Sequence, residues 1–234
     1  MARVPDIFSS VIVANGDFNP AIFTPDWLER NNLIGPEDAN EARQSQSIVV
    51  TRQVSVVETD WFVLQVLEEQ MTLSSKGALS PTLKDLAVSI FSLVAQTPVR
   101  AFGMNFFGDY KMATVADYHK VGDVLAPKDI WHKIFPPNDF NTGMMNLVMR
   151  VTPGARELGN PTSNDHKNVT IQNSVRVAGG IHMQMNDHRD ISAFDDHELT
   201  KAEYAAKIID EQWQKSWEEA VSVFDQLLSS VLVS

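Results

Sequence analysis

Hydrophobic and polar positions change period several times along the chain, and each change marks an element. Phe8 to Ala14 (F-S-S-V-I-V-A) is short and β-branched, and Asn15-Gly16-Asp17 supplies the turn chemistry that ends a strand. Thr24-Pro25-Asp26 places a hydroxyl at the N-cap, a proline at the first helical position and an acid in the first turn, which opens a brief helix before Gly35-Pro36. The polar stretch Glu37 to Ser47 reads as a surface loop or a loose helical turn. Three β-rich runs follow: S-I-V-V-T-R-Q-V-S-V-V from Ser47, W-F-V-L-Q-V-L from Trp61 and Q-M-T-L-S from Gln70. Only Glu58-Thr59-Asp60 and Glu68-Glu69 separate them, so they form an antiparallel meander, because parallel strands need long crossovers.

Ser80-Pro81 repeats the helix opening, and Leu83, Leu86, Ala87, Ile90, Phe91 and Val94 fall on one stripe until Pro98 stops it. Val99 to Phe107 has strand composition, and Thr114 to Val124 and Pro127 to Phe135 read as helices. Met145, Leu147, Met149 and Val151 alternate with polar or smaller neighbours into a strand that Pro153-Gly154 ends. Ala155 to His166 is loop chemistry. Val169, Ile171, Val175 and Val177 before Gly179-Gly180, with Ile181, Met183 and Met185 after it, predict a hairpin. Its polar face carries Gln172 or Arg176, His182, Gln184 and Asn186.

The last segment opens with the capping box Thr200-Lys-Ala-Glu203. Ala206, Ile209, Trp213, Trp217, Ala220, Phe224, Leu227 and Val231 then step by threes and fours as a long amphipathic helix. About 30 helical residues reach about 45 Å, which is longer than a small domain is wide, so the end is expected to overhang. A stripe with two Trp and a Phe needs a broad apolar surface, and one face of the sheet is the candidate. The expected fold is α+β, one domain over residues 1–234. It is a curved antiparallel sheet of about seven or eight strands, with an internal helix and the long C-terminal helix packed on it.

Composition narrows the chemistry. The 234 residues include 19 Lys and Arg against 30 Asp and Glu, a net charge of −11, and no cysteine. Disulfide scaffolds, Cys-ligated zinc or iron–sulfur centres and thiol nucleophiles are therefore excluded. A nucleic-acid binder needs a basic face, and Arg150, Arg156, Lys167 and Arg176 make at most a modest patch without interleaved aromatics. No apolar run approaches the roughly 18 residues of a membrane span, and Val11 to Ala14 is too short for a signal-peptide core. A cytoplasmic protein is expected.

The phosphate-loop, dinucleotide, zinc-protease and nucleophile-elbow signatures are all missing. Gly103 and Gly108 flank apolar strand residues and mark strand bends. Asp187, His188, Asp190, Asp195, Asp196 and His197 could ligate a divalent ion, or His188 and Asp190 could act as an acid–base pair. Their spacing is not diagnostic, and acids before a helix are favoured by its dipole, so the segment reads as a solvated connector and cap. No metal or cofactor is assigned. His182 reads as a hydrogen-bonded structural histidine. Met71, Met104, Met145, Met149, Met183 and Met185 obey the strand period and read as core filling. The Asn168-Val169-Thr170 sequon is read as chance, and Trp27, Trp61 and Trp131 sit near element ends, either at the core rim or as exposed anchors.

Several segments carry a likeness: Asn19-Pro-Ala-Ile-Phe-Thr-Pro25-Asp-Trp-Leu, Trp61-Phe-Val-Leu-Gln-Val, Thr97-Pro-Val-Arg-Ala-Phe-Gly-Met-Asn105 and the aromatic C-terminal helix. In this order they resemble a sporadically distributed family of uncharacterised bacterial proteins of similar length. The resemblance implies a bacterial cytoplasmic protein with this element order and contributes no functional residue.

Two readings compete. In the first, the chain is a non-catalytic interaction or scaffold protein that binds itself or another protein subunit, with no membrane partner. A sheet edge and the C-terminal helix are the expected contact surfaces, and Trp213, Trp217, Phe224 and Leu228 are the candidate contact residues. In the second, it is a small-molecule binder or an unfamiliar hydrolase with a cavity between sheet and C-terminal helix, lined by Arg100, Asn105, His182 and Gln184.

Overall fold

The computed structural model describes residues 3–77, 81–154 and 164–232. It is an α+β fold built on one open antiparallel sheet of nine strands, ordered β2-β3-β4-β5-β1-β6-β9-β8-β7. The strands are β1 (Ile7–Gly16), β2 (Val49–Val50), β3 (Val54–Glu58), β4 (Phe62–Leu67), β5 (Gln70–Ser75), β6 (Val99–Lys111), β7 (Asn146–Val151), β8 (His166–Asn173) and β9 (Gly180–Asp190). The helices are α1 (Pro25–Arg30), α2 (Pro36–Gln44), α3 (Pro81–Leu93), α4 (Val115–Leu125), α5 (Asp129–Ile134) and α6 (Lys201–Leu232), with a 3-10 turn at Pro20–Ile22.

The sheet has one strand more than expected because the run from Ser47 is broken. Thr51 turns the chain: its amide donates to Val54 O at 2.8 Å, and its hydroxyl accepts from the amide of Val54 at 3.0 Å. The polar stretch after Gly35 forms the regular helix α2, started by Pro36 and anchored by buried Ala39 and Ala42. Both caps form as read. Thr24 Oγ1 accepts from the Trp27 amide at 3.0 Å, and the Glu203 carboxylate accepts from the Thr200 amide at 2.8 Å. Ser80 lies outside the described residues, as does most of the Ala155 to His166 stretch; His166 itself opens β8.

Strand parity divides the sheet into two faces. On the inner face Phe102, Met104 and Phe106 of β6 lie level with Ile12 and Ala14 of β1 and with Met183 and Met185 of β9, and all are buried. Here α6 and α3 pack together and against the strands. Trp213 meets the Phe106 ring edge-on at 4.9 Å, Trp217 meets Phe8 at 3.9 Å, and Phe224 meets Tyr110 at 6.4 Å. Burial pushes the Tyr110 phenol up to about 12, with the nearby Asp225 charge adding to it, so the hydroxyl stays neutral.

The C-terminal helix does not overhang. Its 32 residues extend about 48 Å at about 1.5 Å per residue. Buried positions recur from Ala202 to Val231, because α3 and α4 flank the sheet and lengthen the surface beneath it. The outer face of the sheet points away from α6 and carries a different set of side chains.

Candidate functional site

The residues expected to line a cavity under α6 lie elsewhere. Asn105, His182 and Gln184 have the parity opposite to Phe106 and Met183, so they project from the outer face. Between sheet and helix the aromatic side chains just described fill the space instead. Arg100 stands apart at the start of β6, donating to Asp17 Oδ1 at 2.6 Å and to Gly16 O at 3.0 Å.

On the outer face β6, β9 and β8 carry a polar tract. Asn105, Asn186 and Asn168 stand level across the three strands, and Phe107, Gln184 and Thr170 form the next row. Gln184 Nε2 donates to Asn105 Oδ1 at 3.1 Å, while Asn105 Nδ2 donates to Val11 O at 3.3 Å. Asn186 Oδ1 is buried and accepts no hydrogen bond among the described residues. It occupies space that only glycine leaves: a Cβ on Gly103 would lie 2.5 Å from it.

The firmest polar contacts centre on Asp109, which is fully buried. Ser174 Oγ donates to its Oδ1 at 2.5 Å, His182 Nδ1 donates to the same oxygen at 3.1 Å, and the Arg176 guanidinium forms an ion pair with Oδ2. Three donors on one carboxylate hold the turn between β8 and β9 against β6. That turn is completed by Gly179, whose φ of +67° suits glycine. His182 is thus hydrogen-bonded to strand β6, as its structural reading expected.

The acidic segment beyond Asn186 is not a connector over its first part, because Asp187 to Asp190 continue β9. Strand alternation then separates them. Asp187 faces inward, accepting from Ser216 Oγ of α6 at 2.5 Å, with Arg189 Nε 3.0 Å from its other oxygen. His188 faces outward against His166, ring centroids 4.4 Å apart. Burial lowers the His188 pKa, the neighbouring His166 lowers it further, and Asp190 and Asp165 only partly oppose this. Asp190 is held below its usual value by hydrogen bonds from the Ser192 hydroxyl and amide. Asp196 accepts from the amides of Glu198 and Leu199, which is the connector role expected of it. Among the described residues no group of three or more His, Asp or Glu is placed to hold a metal ion.

The candidate contact residues of α6 are core. Trp213 is 3 % exposed, Phe224 and Leu228 are buried, and Trp217 is partly buried against the core. Trp213, Phe224 and Leu228 present no surface to a partner in this fold, because the stripe that looked sticky in the sequence is the stripe the sheet and α3 consume, and only part of Trp217 reaches the surface. Trp27 and Trp61 are also rim residues: Trp27 packs on Phe23, and Trp61 Nε1 donates to Asp38 at 3.2 Å. The three described cations of the proposed patch do not converge. Arg150 binds Asn168 on the outer face, Lys167 pairs with Glu219 on the inner, Arg176 is taken by Asp109, and Arg156 lies outside the described residues.

Exposed apolar surface collects at the opposite end from β2. Strand β7 is a sheet edge, and Val148, Met149 and Val151 are all exposed. The methionines divide accordingly: Met71, Met104, Met183 and Met185 are core, whereas Met149 is 56 % and Met145 83 % exposed, because α6 does not reach the last strand. Helix α5 buries no residue at all. Its Ile130, Trp131 (55 % exposed) and Ile134 stand in solvent with Phe135 and Phe140, whose rings meet at 5.5 Å. A cavity of about 420 Å³ separates α5 from the start of β7, lined by Trp131, Phe135, Met144 and Met145 among others. We refer to α5, the segment up to Met145 and β7 as the ledge.

A soluble chain normally blunts an edge strand with lysine, proline, a bulge or shortness. The other edge is blunted: β2 has two residues and Arg52 follows it. β7 has six residues, one charge and no proline. The signal legible in sequence was the alternation at Met145 to Val151 together with a helix too short to bury its Ile and Trp, but alternation alone does not say which strand ends a sheet.

No helix among the described residues is long and apolar enough to cross a membrane. No protein-family model matches the chain, and no curated protein matches it.

Proposed function

We propose that the chain is a non-catalytic interaction subunit that docks a protein strand along β7 and seats apolar side chains of its partner against α5. The observation that carries the reading is the ledge: a six-residue edge that is unblunted among the described residues and, across a cavity from its start, a helix that buries nothing of its own. Strand addition satisfies the free amide and carbonyl groups of such an edge, and flanking apolar pockets supply specificity. Large exposed apolar patches on soluble proteins mark interaction sites. A bacterial, cytoplasmic setting follows from the resemblance of the Asn19, Trp61 and Thr97 segments.

The test compares the wild-type chain with the double substitution Val148→Lys and Met149→Lys by size-exclusion chromatography with light scattering, both purified and in cell extract. Both positions are exposed, so the fold is expected to survive, and lysine on an edge strand opposes further pairing. Wild type should run above 26.1 kDa in at least one setting and the variant at 26.1 kDa in both. A wild-type chain of 26.1 kDa in both settings would overturn the proposal.

A further inference from the structure

We infer that the strand completing the sheet at β7 is β7 of a second copy, paired antiparallel about a two-fold axis through Val148, so that the two nine-stranded sheets become one. The inference rests on the docking reading above and adds the partner and the register.

Symmetry restricts the choices. Residues opposed in an antiparallel pair point to the same face, so a two-fold axis that joins outer face to outer face can only oppose residues of the same parity. With the axis at Val148, Leu147 opposes Met149 and Met145 opposes Val151 on the inner side, all apolar. On the outer side Val148 meets its own copy, flanked by Asn146 opposite Arg150. Arg150 already donates to the amide oxygen of Asn168 at 3.1 Å within the chain, so the contact chemistry is one this side chain uses. An axis at Met149 would set Arg150 against Val148, and one at Arg150 would oppose two like charges, which is destabilising. An axis at Leu147 would leave only residues 146–148 of the strand paired.

The same register places Val151 of one copy beside Met145 of the other, at the cavity that Trp131 and Phe135 line. Charge agrees. Residues 126–154 hold Lys128, Lys133 and Arg150 against Asp129 and Asp139, a net +1, in a chain of net −11. Two copies meeting there keep their acidic surfaces apart, whereas most other faces would bring like charges together. A stretch of this length is also of the order of the 20–30 residues a side that stable interfaces use.

The chain has no cysteine, which makes the test direct. Val148→Cys puts a single thiol on the proposed axis, where opposed Cβ atoms lie about 4.5–5.5 Å apart, within reach of a disulfide after small adjustment or of a short bismaleimide. The purified variant should give a covalent dimer as its main band with either reagent, lost on reduction when the link is a disulfide and diluted out by excess wild-type chain. Thr72→Cys, on the outer face of interior strand β5, should give no covalent dimer with either reagent. A mixture of Leu147→Cys and Met149→Cys chains should cross-link as a pair. If wild type has twice 26.1 kDa but neither arrangement cross-links, the register is wrong while the docking reading stands. If wild type exceeds 26.1 kDa only in extract, the partner is a different protein and the inference fails.

Discussion

Replacing Trp213 with alanine is expected to cost about 3–5 kcal/mol of folding stability, the range for an aromatic truncated in a packed core. The side chain is 3 % exposed and lies edge-on to Phe106 at the centre of the interface between α6 and the sheet. In a chain of this size about 1 kcal/mol moves the melting midpoint by roughly 2–4 °C, so the transition should fall by about 6–20 °C. Trp131→Ala is the matching control. That ring is 55 % exposed on a helix with no buried residue, and its loss should change stability by no more than about 0.5 kcal/mol. Thermal unfolding followed by circular dichroism separates the two. Similar midpoints for the two variants would mean that α6 does not hold the sheet as described.

The second large effect is expected at Asp109. Asp109→Ala removes a buried carboxylate that three donors share, and should destabilise the fold by about 2–4 kcal/mol, somewhat below the full range for breaking a buried ion pair. The discount follows from Arg176, whose side chain is 37 % exposed and can turn to water once its partner is gone. Adding Arg176→Ala to that variant should therefore cost little more, so the two losses are strongly non-additive. Urea unfolding of the wild type, both single variants and the double variant measures this. Losses that simply add would show that Arg176 and Asp109 do not act as a pair.

These two positions also mark where sequence reading succeeds and where it stops. Trp213 belongs to a stripe whose period alone identifies a helix and its buried side, and the α+β class, the meander and the capping box at Thr200 were legible for the same reason: each is a local pattern. The β8–β9 hairpin was legible too, but its first arm ends at Asn173, so Val175 (97 % exposed) and Val177 lie in the turn and not in the strand. What covers a pattern is not local. The stripe on α6 and the alternation in β7 look alike as apolar periodicities, yet one is consumed by the sheet and the other is left at its rim, a difference set by strand order and helix reach. Asp109 shows the same limit. Its partners Ser174, Arg176 and His182 are distant in sequence, and only the register of β6 against β9 brings them to one carboxylate. That register also moved Asn105, His182 and Gln184 to the outer face, where one residue of strand phase decides between cavity and surface. The division of Asp187 from His188, on opposite faces of β9, has the identical cause.

The claim on which the functional reading stands is that the β7 edge is occupied when the protein works. Amide hydrogen exchange measures this at the strand itself, by following residues 146–151 over a range of protein concentrations with Val49–Val50 of the opposite edge as the internal reference. Exchange in β7 is expected to slow as concentration rises while exchange in β2 does not change. Fast exchange in β7 at every concentration, indistinguishable from that of β2, would contradict it.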